Sequence, residues 1–290
     1  PCSLNAEQDT IMISGSNGLI GGNLKNALTQ QGHNIIGLSR DFSKPIDFSD
    51  VDVVIHLAGE NIAQKRWSED QKDKIKNSRL IGTKQLSDQL AASEHKPSLF
   101  ISSSATGYYG DRKDKELNEN SEPGTGFLPE VCVEWENSTK SAENAGIRTV
   151  HIRTGIVLSK EGGALKKMLP PFLFGAGGIL GDGKQFMSWI SIKDEINAIL
   201  FIINNQTITG AVNLTAPNPV NNYEFTKILG KVIKRPTIAP LPGFIARIMF
   251  GEMADAILLT GNKVYPKKLI DAGFSFEHST LDKALESVLN

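Results

Sequence analysis

The chain has 290 residues, 40% of them hydrophobic and 22% charged, and a formal net charge of −1 at pH 7. A near-neutral chain of this length can bury a sizeable core but has no electrostatic basis for binding nucleic acid or an anionic membrane. Its two cysteines, Cys2 and Cys132, make neither a disulfide framework nor a metal site. No apolar stretch reaches the roughly 18 residues of a membrane span, and residues 1–10 lack the apolar core of a signal peptide. These features predict a cytoplasmic protein that binds no metal, membrane or nucleic acid.

A glycine-rich turn lies near the start of the chain, between the apolar run 11–13 and a helical pattern over 21–31. In a strand–turn–helix unit the first glycine allows a tight turn, the second lets backbone approach a pyrophosphate, and the third lets helix pack on strand. The N-terminus of the helix also attracts phosphate. The turn therefore predicts a dinucleotide site. Its expected pyrophosphate ligands are Gly15, Asn17, Gly18, Leu19, Ile20 and Gly21.

Strand-like and helix-like segments then alternate along the first half of the chain. Apolar, β-branched runs predict strands over 10–14, 34–39, 51–57, 98–102 and 148–153. Helical spacing predicts helices over 21–31, 69–92 and 128–145. Continuous apolar strands that alternate with helices indicate an α/β fold whose parallel sheet is covered on both faces. The short connection over 41–50 leaves no room for a full crossover helix, so this corner of the sheet should be trimmed.

Beyond Thr154 the pattern changes. The glycine-rich stretch 162–183 reads as a loop around one short helix. Further strands are predicted over 188–192 and 211–214, and further helices near 223–233, over 244–259 and from 281 onwards.

The residue that ends the second strand distinguishes NAD from NADP. NAD sites usually carry Asp or Glu there, to accept hydrogen bonds from the ribose 2′-OH. Here that position is Ser39, and Arg40 follows it. A guanidinium suits a 2′-phosphate, since it makes forked, charge-assisted hydrogen bonds. Asp41 is the nearest acid and favours NAD. The pattern as a whole favours NADP(H), with Ser39 and Arg40 as its ligands.

Several longer motifs carry a family resemblance. GSNGLIG at 15–21, HLAGEN at 56–61, SSSATGYYGD at 102–111, IRTGIVLS at 152–159, MSWISIKD at 187–194 and GAVNLTAPNPV at 210–220 resemble the extended short-chain dehydrogenase/reductases. ENIAQKRWS at 60–68, SRLIGT at 78–83, FLPEVCVEWE at 127–136 and PKKLIDAGFSF at 266–276 are similar to an atypical branch, the NAD(P)-dependent nucleotide-sugar epimerase-like family. The resemblance implies a Rossmann-type doubly wound parallel sheet that binds NADP(H) over residues 10–160, rejoined by strands near 188–214. It also implies a smaller C-terminal α/β substrate domain over 161–290.

Sites in open α/β sheets lie beyond the carboxyl ends of the strands. There the resemblance implies a set of cofactor contacts: Leu57, Ala58 and Gly59 along the riboses, Ser102 and Ser103 at the next strand end, and Arg153, Thr154, Gly155 and Val157 near the nicotinamide. The nearest cations for an anionic substrate are Arg153, Lys166 and Lys167. The expected apolar wall of the substrate cleft is Trp67, Met187 and Trp189.

The sequence departs from the family at the catalytic residues. The family uses a Ser or Thr together with a Tyr four residues before a Lys. Aligning the glutamate that usually follows this pair with Glu136 puts Leu128 and Cys132 in their places. Neither exchanges a proton as a Tyr beside a Lys does. Ser104 matches the family Ser that binds the reacting oxygen. Ser103 and Thr106 are alternatives for this role, because one extra residue before Tyr109 leaves the alignment uncertain by one position.

Another group must then supply the proton. Three candidates for this role are Tyr108, which follows the serines at a strand end, Glu130, which flanks the positions of the missing Tyr and Lys, and a water molecule. The sequence thus predicts an NADP(H)-dependent oxidoreductase or epimerase, monomeric or homodimeric. Its substrate would be sugar-nucleotide-like, anionic, or a small carbonyl or hydroxyl compound. The alternative is a catalytically silent NADPH-responsive binding or regulatory protein.

Overall fold

The computed structural model describes residues 7–57, 59 and 62–290 of the chain. The strands within these residues are β1 (Thr10–Ser14), β2 (Asn34–Leu38), β3 (Val53–His56), β4 (Leu99–Ala105), β5 (Glu116–Leu117), β6 (Arg148–Thr154), β7 (Ile156–Leu158), β8 (Phe186–Met187), β9 (Trp189–Ser191), β10 (Gly210–Leu214), β11 (Val220–Asn221) and β12 (Lys263–Val264).

The α-helices are α1 (Leu19–Gln30), α2 (Glu69–Ala92), α3 (Phe127–Asn137), α4 (Lys140–Asn144), α5 (Gly163–Leu173), α6 (Ile192–Asn204), α7 (Asn222–Ile233), α8 (Gly243–Phe250), α9 (Lys267–Asp271) and α10 (Leu281–Leu289). A single 3₁₀ turn follows β4 over Thr106–Tyr109, and a π-helical turn lies at Ala254–Leu258. None of the helices in the described parts of the chain is long and apolar enough to cross a membrane.

Six strands form one sheet in the order β10-β6-β4-β3-β1-β2. Every neighbouring pair in it is parallel. The chain places β2 on one side of β1 and β3 on the other, so the strand order reverses there. In such a sheet the crevice at this switch point, beyond the carboxyl ends of the strands, is where ligands bind. The predicted α/β fold with a parallel, doubly wound sheet is confirmed.

Apolar side chains cover both faces of the sheet. On one face α1 and α6 pack through Leu24, Leu28 and Ile199 in the largest buried cluster. On the other face Leu86 and Leu90 of α2 join a second cluster. Successive side chains of a strand point to opposite faces, which explains why the buried strands read as continuous apolar runs.

The smaller strands form three two-stranded sheets, β11–β8, β12–β5 and β7–β9. Of the two strands predicted near 188–214, β10 lies in the main sheet and β9 pairs with β7 outside it. A separate apolar cluster joins α5, α7 and α10 around Phe225 and Trp189.

Two predicted helices are each divided, and those two predictions were wrong. The helix expected over 128–145 breaks between α3 and α4. There the hydroxyls of Ser138 and Thr139 donate to the carbonyls of Glu134 and Glu136 and so compete with helical hydrogen bonds. The helix expected over 244–259 ends at Phe250, because Gly251 has φ +64° and ends the helix in the left-handed region.

Candidate functional site

The glycine turn after β1 is held by three close backbone approaches. Gly15 has φ +68°, and a Cβ there would lie 1.9 Å from the carbonyl oxygen of Leu57. A Cβ at Gly21 would lie 2.0 Å from the carbonyl oxygen of Gly15. The N–H of Gly18 donates to that same Gly15 oxygen at 3.0 Å. The turn therefore folds back on the end of β3 and tolerates no side chain at Gly15 or Gly21.

The tight turn leaves the N-terminus of α1 available to an anion. Gly18 is the N-cap residue and is exposed, and the first turn contains no acidic side chain. The leading N–H groups of a helix have no partner within it and carry a partial positive charge. Asn17 is exposed, while Leu19 and Ile20 are half-buried beside this end of the helix.

The end of β2 carries an exposed cation. Ser39 and Arg40 are both exposed. The Asp41 carboxylate accepts hydrogen bonds from the backbone N–H and hydroxyl of Ser43, and Lys44 Nζ lies 3.4 Å away. The hydrogen bonds from Ser43, helped by Lys44, lower the pKa of Asp41. Asp41, the acid that argued against NADP in the sequence, thus forms its hydrogen bonds and its ion pair within its own loop.

A buried histidine fixes the carboxyl end of β3 beside the turn. His56 Nδ1 lies 2.7 Å from Ser14 Oγ, and His56 Nε2 lies 2.9 Å from Thr83 Oγ1. The Thr83 hydroxyl donates to the Arg79 carbonyl, so Nε2 carries the histidine proton and Nδ1 accepts from Ser14. Ser14 Oγ in turn accepts the N–H of Leu57 at 2.9 Å. Burial lowers the pKa of His56 to about 4, so this network is neutral and structural.

The predicted ribose contacts follow β3 directly. Leu57 is half-buried beneath Gly15, and Gly59 lies exposed against the guanidinium of Arg79. Ala58, also predicted to contact the cofactor, lies outside the described residues.

The three serines of β4 divide between the two faces of the sheet. Ser102 and Ser104 are buried on the face that carries His56, and half-buried Ser103 points to the opposite face. Ser104 Oγ donates to Glu136 Oε1 at 2.8 Å. Ser102 Oγ is buried and has no hydrogen-bond partner among the described residues. The alternation puts Ser104 and its alternative Ser103 on opposite faces, and Ser104 is the one joined to a carboxylate. Thr106, the other alternative, is half-buried in the turn that follows β4.

Glu136 belongs to a buried ion pair. Its carboxylate accepts Arg153 Nε at 2.7 Å and Arg153 Nη2 at 2.9 Å, and both side chains are at most 12% exposed. Arg153 Nη1 donates to the Tyr109 hydroxyl at 3.0 Å, and that hydroxyl donates to Asn213 Oδ1 at 2.7 Å. Burial alone would lower the pKa of Arg153, but Glu136 and Tyr109 raise it above the ordinary value.

Arg153 was expected to be a cation of the cleft that contacts the cofactor or an anionic substrate, and its surroundings differ from that expectation. It is only 4% exposed, and the Glu136 carboxylate and the Tyr109 hydroxyl occupy its guanidinium. The ring of Tyr108 covers one guanidinium face at 3.5 Å. The reason is its position on β6: Arg153 sits opposite Ser104 in register and faces α3 instead of the strand end.

The other two catalytic candidates, Tyr108 and Glu130, differ in their surroundings. Tyr108 stacks on Arg153, and burial raises the pKa of its phenol. Glu130 is exposed on α3, where its charge helps to raise the pKa of Lys76. Tyr108 therefore borders the hydrogen-bonded group of Ser104, Glu136 and Arg153 through its contact with Arg153, whereas Glu130 is exposed.

Leu128 and Cys132, which the sequence analysis aligned with the family's Tyr and Lys, lie on α3. Both pack over Gly107 in the turn that follows β4. Cys132 is buried, and burial with the nearby Glu136 charge raises the pKa of its thiol to about 12. Neither Leu128 nor a Cys132 thiol with this pKa can carry a proton near pH 7.

The residues expected near a nicotinamide end β6. Thr154 is half-buried, and its hydroxyl donates to Glu195 Oε1 at 2.8 Å. The Gly155 N–H donates to the carbonyl of Leu214, and Val157 is half-buried on β7. Glu195 is fully buried, and burial raises the pKa of its carboxyl group to about 8.

The residues expected to line a substrate cleft are spread more widely. Lys166 and Lys167 are exposed on α5. Trp67 is buried against Phe127, and half-buried Met187 lies on β8. Trp189 is fully buried, with its indole N–H bound to the carbonyl of Asn218, so it belongs to the core.

Comparison with known proteins gives the family. A family model described as the NAD dependent epimerase/dehydratase family matches residues 11–215, and a domain of unknown function (DUF1731) matches residues 241–288. An epimerase family protein of Mycobacterium bovis, Mb2239, is 43% identical over 95% of this chain and 96% of its own length. YfhF of Bacillus subtilis, another epimerase family protein, is 35% identical over 96% of this chain and 97% of its own. The chain belongs to the NAD dependent epimerase/dehydratase family.

The solved structures agree with this family and with its atypical short-chain dehydrogenase/reductase branch. The human epimerase family protein SDR39U1, solved with NADPH, superposes with a TM-score of 0.91 at 28% identity. The match covers 96% of this chain and 98% of the human one. UDP-glucuronic acid 4-epimerase of Bacillus cereus, solved with NAD, shares the fold at a TM-score of 0.75 and 18% identity over 96% of this chain and 95% of its own. The resemblance stated from the motifs is confirmed.

The sequence analysis of this epimerase family member missed one residue next to the site, Asn262. It lies in the region that matches the domain of unknown function. Asn262 Nδ2 donates to the carbonyls of both Thr106 and Gly110 at 3.0 Å, at the two ends of the turn after β4. The next residues, in β12, pair with β5. The C-terminal region is thus hydrogen-bonded to the turn that follows the serines. No local signal in the sequence marks Asn262 for this contact.

The glycine turn yields a prediction with a matched control. Gly21→Ala should destabilise the fold and weaken dinucleotide binding at least tenfold, since its Cβ would overlap the Gly15 carbonyl. Gly22→Ala should stay within about 1 kcal/mol of the wild type or gain stability, because its Cβ would meet only Ser16 O at 3.7 Å. Urea unfolding and cofactor titration measure both. Equal behaviour of the two variants would contradict the packing described for this turn.

The ion pair yields a second prediction. Glu136→Gln should cost about 3–5 kcal/mol of unfolding free energy, because Arg153 would remain buried and charged without its carboxylate. Lys84→Gln, which breaks an exposed pair with Asp88, should cost less than about 1 kcal/mol. Urea unfolding of both variants checks this contrast. A loss at Glu136 no larger than that at Lys84 would show that the buried pair does not hold the site together.

Proposed function

We propose that this epimerase family member binds NADP(H) at the carboxyl edge of its sheet and catalyses hydride transfer. The substrate would be a carbinol or carbonyl compound, sugar-nucleotide-like or small. When bound, NADP(H) supplies or accepts the hydride at C4 of its nicotinamide. The observation that best supports NADP(H) binding is the glycine turn. Gly15 and Gly21 permit close backbone contacts there, and these leave the N-terminus of α1 open to a pyrophosphate.

The preference for NADP(H) over NAD(H) rests on the end of β2. Arg40 is exposed there, whereas Asp41 is engaged by Ser43 and Lys44. A 2′-phosphate would meet a cation at this position, and a bare 2′-OH would lack its usual acidic acceptor. The human relative that was solved with NADPH is consistent with this preference.

The chemistry that the chain itself offers centres on Ser104. Its hydroxyl hydrogen is committed to Glu136, so its remaining lone pair can accept a hydrogen bond from a substrate hydroxyl. Of the three proton carriers considered, Tyr108 is stacked on Arg153 and Glu130 faces solvent. A water molecule beside Ser104 is therefore the favoured proton carrier.

The remaining attributes follow the sequence. Lys166 and Lys167 on α5 favour an anionic substrate, of the sugar-nucleotide kind that some structural relatives were solved with. A cytoplasmic location and a monomeric or homodimeric state stay predictions. An Arabidopsis relative, 36% identical, is named as chloroplastic.

A second candidate function is an NADPH-responsive binding protein that does not turn over its cofactor. The apolar face of α3 favours it, because Leu128 and a Cys132 thiol with a pKa of about 12 stand where the family places its Tyr and Lys. Tight NADPH binding without any oxidation in the presence of carbonyl compounds would select this second function.

The nucleotide preference can be tested at Arg40. Arg40→Ala should weaken NADPH binding about 10–100-fold, the loss expected for hydrogen bonds to a charged group, and NADH binding by less than about twofold. Lys84→Ala removes an equal charge from α2 and should change neither affinity. Fluorescence titration of the wild type and both variants with NADPH and NADH measures the six dissociation constants. Small, equal losses for NADPH and NADH would rule out the 2′-phosphate contact.

The role of Ser104 can be tested by turnover. Ser104→Ala should slow NADPH oxidation with a panel of carbonyl substrates by about 10²-fold, the scale of one catalytic hydrogen-bonding group, while the Kd for NADPH stays unchanged. Ser98→Ala, just before the start of β4, where the exposed hydroxyl donates to the carbonyl of Asp52, serves as the control and should retain the rate. Unchanged turnover in Ser104→Ala would remove this residue from the mechanism.

A further inference from the structure

A buried carboxyl group with an unused oxygen lies beneath the proposed nicotinamide site. Glu195 is in the first turn of α6 and has no exposed surface. Its Oε1 accepts the hydroxyl of Thr154 at 2.8 Å, and its buried Oε2 has no hydrogen-bond partner in the part of the chain that the structure describes. A buried polar atom without a partner is rare in folded proteins and calls for an explanation.

The groups around Glu195 do not balance its charge. Helix α6 packs on α1, β7 and β9, and β6 reaches it through the hydrogen bond of Thr154. Leu24, Val157 and Ile190 of these elements belong to the same apolar cluster as the buried side chains of α6. Burial is the main cause of the raised pKa of Glu195, and the only other contribution is the Thr154 hydrogen bond, which lowers it.

The charged residues on these elements are engaged elsewhere or exposed. Asp194 accepts the backbone N–H groups of Glu277 and His278, and Lys193 pairs with the Glu277 side chain at 2.8 Å. His278 contacts Ser191, and Lys25 of α1 is exposed. An isolated carboxyl group in such surroundings is held in its neutral form near pH 7.

The position of Glu195 connects it with the proposed cofactor. Its partner Thr154 ends β6, at the sheet edge where an open α/β fold binds its ligand. Ile20 after the glycine turn, Leu57 after β3 and Val157 after β6 are half-buried and pack on the same apolar cluster. Glu195 therefore lies in the wall behind the site that the proposed function gives to the nicotinamide.

We propose that Glu195 determines which redox state of the cofactor the protein prefers, by losing its proton to solvent when the oxidised nucleotide binds. This inference rests on the proposed function. The oxidised nicotinamide ring carries a positive charge and the reduced ring carries none. A positive charge nearby, in a region of low dielectric, favours the carboxylate over the carboxylic acid. NADPH would leave the proton in place.

The sign of the pH dependence follows from this linkage. Glu195 is protonated in the free protein below pH about 8, so NADP⁺ binding at lower pH must displace that proton. Raising the pH removes this requirement and strengthens NADP⁺ binding relative to NADPH binding. Ionisation of the 2′-phosphate is common to both nucleotides and cancels from their ratio.

The test is the ratio of the two dissociation constants, Kd(NADPH)/Kd(NADP⁺), from pH 6 to pH 9. The wild type should show this ratio rise by about tenfold, the change expected for one coupled proton over one pH unit. Glu195→Gln, a neutral residue of the same shape, should give a flat ratio. Glu224→Gln removes an exposed carboxylate from α7 and should keep the wild-type slope.

A second readout does not depend on the Glu195 variant folding. Calorimetric titration of the wild type at pH 7, in buffers of different ionisation enthalpy, should show more proton release with NADP⁺ than with NADPH. Thr154→Val removes the hydrogen bond that favours the carboxylate and should move the rise to higher pH.

The outcomes separate the two proposals. A flat wild-type ratio, equal proton release for both nucleotides, or a Glu195→Gln variant that keeps the slope would overturn the role of Glu195 while leaving NADP(H) binding in place. Failure of the wild type to bind either nucleotide would overturn the proposed function, and this inference with it.

Discussion

The bidentate ion pair between Glu136 and Arg153 is the interaction on which the rest of the site depends. A buried charge pair is costly to form in a core and costly to break once formed, so its partners must stay together. Through Glu136 it fixes the hydroxyl of Ser104, and through Arg153 it fixes Tyr109 and, beyond it, Asn213. One pair thus ties together β4, β6, α3, β10 and the turn after β4.

The two halves of the site show different kinds of constraint. At the end of β1 the constraint is steric, because backbone must approach backbone at Gly15 and Gly21. At the ends of β4 and β6 it is electrostatic, because Ser104 and Arg153 are buried polar groups that need partners. The first arrangement suits any dinucleotide. The second places buried polar groups at the ends of the two strands, and α3 supplies one of them, Glu136.

The C-terminal region joins these halves. Asn262 holds both ends of the turn after β4, and Lys72 of α2 lies 3.2 Å from Glu252 just after α8. Arg66 donates to the carbonyl of Ile248. These contacts connect the region matched as a domain of unknown function to the segments that flank the proposed cofactor edge.

The sequence by itself determined the α/β fold, the family, the glycine turn and the exposed cation at Arg40, because each depends on residues close together in the chain. It was wrong where a helix was interrupted by hydroxyl groups at Ser138 and Thr139, since those bonds compete locally with a strong helical pattern. Only the tertiary structure decided that Arg153 is a buried partner of Glu136. It alone also decided that Glu195 lies behind Thr154 and that Asn262 reaches the turn after β4. The physical reason is that such contacts join residues up to 156 positions apart, and each is set by which face of a strand or helix the fold turns inward.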